Sequence, residues 1–205
     1  MGWDFQARVE NVIAELRVLT DEPDKLELPF WGADEHEGDY NRRAAATHRW
    51  ELFDRDLIRT DFDRHGVEAC DILAADLGMI HVKRLEKSSK LSHLFAQGSV
   101  AASLLSPDSP FRTTVQQRLG DSSTLPTTIV FALATHRNGP IKELIPFFSK
   151  VDLSTQVRTI HNAGFTVALA KIDFRSHSLS PPVPGAAPGD DMPRARGSQV
   201  NPRFF

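Results

Sequence analysis

The run from Thr127 to Thr135, Thr-Thr-Ile-Val-Phe-Ala-Leu-Ala-Thr, is unbroken in β-branched and apolar residues. A strand with no polar face has no side to offer water, so it belongs in the middle of a sheet covered on both faces. Helical spacing follows over 141–149 and 154–162, Gly164 closes the second helix, and Phe165 to Ile172 is again strand-like. Strand, crossover helix and strand in succession imply a right-handed parallel pair. The chain is therefore α/β, with a central mixed sheet and flanking helices.

Upstream, Val9, Val12, Ile13, Leu16 and Leu19 recur at helical spacing and predict a helix over 7–19 with one buried stripe. The stretch after it carries prolines and many acids without a period. A loop of that length signals a functional arm, or the joint to a further N-terminal domain or partner chain. Tyr40 to Leu52, centred on Ala44 to Ala46, predicts a second helix. Leu57 to Phe62, Val67 to Leu73 and Met79 to Lys83 predict strands, with Gly66 and Gly78 at the turns. Ser88 or Ser89 is positioned to cap a helix bearing Leu91, Leu94 and Phe95, which Gly98 ends or interrupts before Val100, Leu104 and Leu105. Ser109-Pro110 opens another helix that Gly120 closes. From Ser176 the chain is rich in Pro, Gly, Ser and Arg and reads as a disordered tail. The expected organisation is an N-terminal helix and long loop over 1–37, an α/β core over 38–175 and a tail over 176–205.

At 205 residues the chain can bury a sizeable core. Its formal net charge of -3 gives no global attraction to nucleic acid, so any such contact needs a local basic patch. Cys70 is the single cysteine, which excludes an intrachain disulfide and a cysteine-based zinc site, and its apolar neighbours make it a small buried hydrophobe. No apolar run approaches the length of a membrane span, and the N-terminus lacks the charged and apolar regions of a signal peptide. These features exclude a membrane partner and suggest a cytoplasmic protein. Trp3, Trp31 and Trp50 read as core or staple residues.

The chemistry concentrates between Glu68 and Phe95. Asp71 ends one apolar run, and the alternation of Ile80 and Val82 against His81 and Lys83 puts those two polar residues on one strand face. Two adjacent strands can thus bring Asp71, His81 and Lys83 to one edge of a sheet. The order helix, three strands, helix, strand resembles the αβββαβ core of the PD-(D/E)xK, restriction-endonuclease-like superfamily. That resemblance implies metal-dependent cleavage of DNA or RNA with Mg²⁺ or Mn²⁺. Asp71 would ligate the metal and Lys83 stabilise the scissile phosphate. His81 stands where the superfamily has an acid, and imidazole suits softer metals than magnesium. Glu51, from the preceding helix, and then Glu68 are the acids that would complete the metal set. Arg84, Lys87, Ser88, Ser89, Lys90 and Gln97 would line the substrate side. An ordinary cross-strand pair between Asp71 and Lys83 satisfies the same residues. His81-x-Lys83 also resembles the start of a phospholipase D type signature, but Ser88 stands where that motif needs an acid, and the spacing to Gly98-Ser99 is too long.

Asp39-Tyr-Asn41, Glu68-Ala-Cys-Asp71, His81-Val-Lys-Arg84, Ser88-Ser-Lys-Leu-Ser-His-Leu-Phe-Ala-Gln-Gly98 and Pro146-Phe-Phe-Ser-Lys-Val-Asp-Leu153 together resemble a bacterial family of sporadically distributed, uncharacterised proteins. The likeness spans roughly residues 38 to 173. It implies a setting in mobile or defence-associated loci and kin much longer than this chain, which would correspond to their C-terminal half. It also makes His-Val-Lys a pattern of the family in its own right. The leading expectation is a metal-dependent nuclease-like domain. Its competitor is a non-catalytic module of a defence or toxin-like system that binds nucleic acid or protein through the Lys83 to Lys90 surface.

Overall fold

The computed structural model describes residues 2–22, 26–59, 64–107, 109–120 and 124–175. The expected tail from 176 and the end of the expected strand at 57–62 lie outside these residues. In chain order the elements are α1 (Gly2–Glu15), β1 (Arg17–Val18), β2 (Trp31–Gly32), α2 (Glu37–His48), β3 (Glu51–Leu52), β4 (Leu57–Ile58), β5 (Val67–Glu68), β6 (Ile72–Ala74), β7 (Gly78–Arg84), α3 (Ser88–Leu104), α4 (Pro110–Leu119), β8 (Thr128–Thr135), α5 (Ile141–Leu144), α6 (Phe147–Asn162) and β9 (Thr166–Arg175).

A seven-stranded mixed sheet runs β1-β9-β8-β7-β6-β3, with β2 also paired to β9. The strands β7, β8 and β9 are mutually parallel, as are β1 and β2 with β9, whereas β6 runs antiparallel to β7 and β3 to β6. The apolar run at 128–135 lies in the middle of this sheet because each of its faces feeds a separate core. Ile129, Phe131 and Leu133 join Leu91, Leu94, Phe95, Leu153 and Val157 of α3 and α6 on one side. Val130, Ala132 and Ala134 join Trp31, Tyr40, Ala44 and Ala45 on the other. With both faces dry, alternation disappears from the sequence. Among the described residues, no helix is long and apolar enough to cross a membrane.

Several local expectations shift. The first helix ends at Glu15, and Arg17–Val18 leaves it to join the sheet, so the N-terminal segment is tied to the same sheet as the rest. The second helix begins at Glu37, three residues before Tyr40, and its end at His48 lets Glu51–Leu52 pair with β6. The expected strand at 67–73 is two strands, parted where the chain turns at Ala69 to Asp71. Gly78 begins β7, since the turn is made by Ala75 to Leu77. Lys87 takes the cap position before α3 and Ser88 is its first helical residue. The expected helix at 141–149 divides into the short α5 and the start of α6, which then continues unbroken to Asn162.

Gly98 neither ends nor interrupts α3, which continues to Leu104. A β-carbon there would lie 2.7 Å from two ring atoms of Phe131 and 3.0 Å from Ile129 Cγ2. Phe131 cannot yield easily, being edge-on to Phe95 at 5.0 Å and against His81 on another side. The glycine is therefore what allows α3 to lie directly on the central strand. We expect Gly98→Ala to lower stability by about 1–2 kcal/mol in urea unfolding, overpacking outweighing the gain in helix propensity.

Candidate metal centre

The site begins as a defect in the β6–β7 ladder. Ile72 faces Ile80, Leu73 faces Met79, and Asp71 N–H still donates to Ile80 O at 3.0 Å. The next rung is made by a side chain, because Val82 N–H donates to Asp71 Oδ2 at 2.7 Å. The chain before Asp71 is thereby free to leave the sheet, and the space it vacates collects acids. Phe53 N–H donates to Asp71 O, which sets Asp54 beside it. Glu68 arrives at the end of β5. One carboxylate oxygen from each of Asp54, Glu68 and Asp71 lies within 4.8 Å of the others.

Two further groups hold this cluster. Asn41 of α2 is fully buried and its Nδ2 donates to Asp54 Oδ1 at 3.4 Å and to Asp71 Oδ1 at 3.3 Å. Arg55 N–H donates to Glu68 Oε1 at 2.5 Å. On the next strand, Lys83 Nζ donates to Glu37 Oε1 at 2.7 Å. Lys83 and Glu37 also border a groove of 340 Å³ with Trp31, Asp34, His36 and Lys90. The groove opens at the carboxyl end of β7, where α/β sheets commonly bind ligands.

Electrostatics follow from packing like charges out of water. Burial pushes the Asp71 carboxyl up to about 8; the Val82 amide opposes the rise, while Glu68, Glu37 and Asp54 add to it. Glu68 is raised as well, by burial first, with the Arg55 amide acting against it. Three hard oxygen donors in one place suit Mg²⁺ or Mn²⁺, which would relieve the repulsion among them. The residues fit such an ion on a second count: Asn41 Oδ1 is buried at the cluster's side without a hydrogen-bond partner among the described residues.

Residues 1–173 match the model of a family of unknown function, DUF6119. The chain belongs to that family. No curated protein and no solved structure matches it. The DUF6119 match takes in the N-terminal helix and loop as well as the phrases from residue 38 onward.

In this DUF6119 chain, Asp71 and Glu68 belong to the cluster, and Lys83 borders the neighbouring groove near enough to act on the Glu68 carboxyl. Glu51 does not: it is exposed on β3 opposite Leu73, and Asp54 occupies the place expected for it. Sequence reasoning missed Asp54 and Glu37, although Asp54 follows directly on the strand that carries Glu51. His81 is 2 % exposed, its ring 5.9 Å from that of Phe131 and its Nε2 without a partner among the described residues. Burial lowers its pKa to about 4, so it is a neutral core residue outside the carboxylate group. Arg84 is committed to structure, its guanidinium 4.6 Å from the rings of both Trp31 and Phe174 and donating to Glu35 O at 2.7 Å. Lys90 pairs with Glu86 at 2.7 Å. Lys87 and Ser89 are exposed at the start of α3, and Ser88 and Gln97 are half-buried along it. Cys70 is buried, and burial pushes its thiol well above the ordinary range, as expected of a small apolar residue.

Proposed function

We propose that this chain carries a divalent-cation-dependent phosphodiester hydrolase site acting on DNA or RNA. The observation that supports it most is Asp71, which substitutes for a ladder rung beside Glu68 and Asp54, with Lys83 of β7 near enough to act electrostatically on Glu68. The succession α2, β3, β6, β7, α3, β8, with β7 and β8 parallel, supports a PD-(D/E)xK-like reading of the core. The departure at His81 weighs less once that side chain lies in the apolar layer. Asp54 and Glu68 supply acids that the third strand lacks.

Asp71, Asp54 and Glu68 would hold the cation. When bound, it lowers the pKa of water and neutralises charge on the phosphate. Asn41 and the Val82 amide fix the orientation of Asp71. Lys83, exchanging Glu37 for a phosphate oxygen, would place a positive charge where negative charge develops in the transition state. A binding module built on the Lys83 to Lys90 surface draws less support, since Arg84 is held within the fold by Trp31, Phe174 and the Glu35 carbonyl.

The test is incubation of the protein with plasmid, single-stranded DNA and RNA in Mg²⁺ or Mn²⁺. We expect metal-dependent cleavage that Asp71→Ala abolishes and Lys83→Ala reduces by about 10²-fold or more. Cleavage that survives both substitutions removes the site from this assignment.

A further inference from the structure

We propose that Asn41 is the positioning residue of the carboxylate cluster, the group that sets Asp54 and Asp71 at the separation a divalent cation needs. This rests on reading the cluster as a cation site. Asp54 and Asp71 lie on segments joined by the bond from Phe53 N–H to Asp71 O, and Asn41 Nδ2 is within hydrogen-bond distance of one carboxylate oxygen of each. Its own mount is rigid. Tyr40 is fully buried, stacks on Trp31 at 4.8 Å, and donates its hydroxyl to Pro29 O; Ala44 and Ala45 enter the core one turn later.

Gly38 supplies an independent sign that this part of α2 is shaped around Asp54. A β-carbon at that position would stand 2.8 Å from Asp54 Oδ2. The helix therefore meets one oxygen of Asp54 with a bare α-carbon and the other with an amide donor. The remaining atom of that amide, Oδ1, is buried and has no partner among the described residues. An unpaired buried carbonyl costs stability, so an apolar side chain of similar size would serve packing better. A polar group kept at that cost, touching two ligand candidates at once, is what outer-shell positioning of a metal site requires. The Asp39-Tyr40-Asn41 phrase thereby acquires a physical meaning: Tyr40 anchors the helix and Asn41 spends that rigidity on the carboxylates.

The test titrates the full chain with Mn²⁺ alone by calorimetry and records thermal melts with and without the ion. The wild type is expected to bind Mn²⁺ in a manner that Asp71→Ala eliminates. Asn41→Leu should weaken binding about tenfold or more. Asn41→Gln, which keeps an amide donor, should recover part of the affinity that Asn41→Leu loses. If Asn41→Leu fails to fold, Asn41→Ser, too short to reach both carboxylates, carries the same expectation. A purely structural asparagine would lower the melting temperature on substitution but leave Mn²⁺ affinity of the folded protein unchanged, and that result overturns the inference while leaving the hydrolase reading intact. Absence of Mn²⁺ binding by the wild type overturns it too. Asn41-dependent Mn²⁺ binding without cleavage of any nucleic acid upholds it and instead removes the hydrolase reading.

Discussion

Freed of divalent cations, the wild-type chain is expected to melt several degrees lower at pH 8 than at pH 6.5, and Asp71→Asn to remove most of that difference. The folded Asp71 carboxyl titrates at about 8, against about 3.9 for an unfolded aspartate. Between those values the folded state holds a proton that the unfolded state has released. Stability therefore falls as pH rises, by about 1.4 kcal/mol for each pH unit inside the window. From pH 6.5 to 8 this comes to roughly 2 kcal/mol, or about 4–8 °C for a domain of this size. Glu68, also raised by burial, acts in the same direction. The introduced amide can still accept from Val82 N–H, and its nitrogen can donate to Asn41 Oδ1 once the Asn41 amide turns over. Mn²⁺ should flatten the wild-type profile by displacing the proton. A melting temperature that is level or rising from pH 6.5 to 8 in the metal-free wild type would contradict the burial of an uncompensated carboxyl at Asp71.

The second large effect has the opposite sign. His81 is neutral in the folded core because burial lowers its pKa to about 4, whereas an unfolded histidine takes up its proton near 6.5. Its contribution is fully present above pH 6.5 and is lost as pH falls toward 4, at a cost approaching 3 kcal/mol. Across that interval the slopes from His81 and Asp71 oppose each other, so the wild-type profile should be nearly level there. His81→Leu, which keeps an apolar contact for Phe131, leaves the Asp71 slope alone, and stability should then rise continuously as pH is lowered from 8 to about 4.5. Urea unfolding at half-unit pH steps measures both effects. The same variant should retain cation binding, because the imidazole stands apart from the carboxylates. Loss of cation affinity in a folded His81→Leu protein would return His81 to the site.

Much of the architecture could be read from the chain, and the reasons are local. The strands at 128–135 and 166–175 carry dense β-branched and apolar residues, and the helix between them has its own periodicity, so their parallel pairing followed from the crossover connection and its hand from chirality. Ser109-Pro110 specified its helix start through a cap whose hydroxyl accepts from Arg112 N–H. Gly98 misled because a mid-helix glycine resembles a terminator unless the strand beneath it is known. The candidate site was half legible. Asp71 and Lys83 stand out as polar residues ending apolar runs. Asp54 and Glu37 do not, for Asp54 reaches the cluster through a main-chain pairing across residues 53 and 71, and Glu37 through the packing of α2 over the sheet. Contacts between segments so far apart leave no period or spacing in the sequence, and Glu51, the nearer acid by pattern, lies on the exposed edge instead.

The rung between Val82 and Asp71 also bears on which residues the position can accept. A peptide carbonyl would have held Val82 N–H from a strand; here a carboxylate does it from a side chain one carbon long. The reach of that side chain is thus fixed by the spacing of a β-ladder, with the same tolerance that the ladder allows its own backbone. Glutamate keeps the charge but adds a methylene, and would either slide off the amide or push the departing chain away from Asp54. In chemical class the two acids are alike, yet in this sheet they differ as a strand in register differs from one that has slipped.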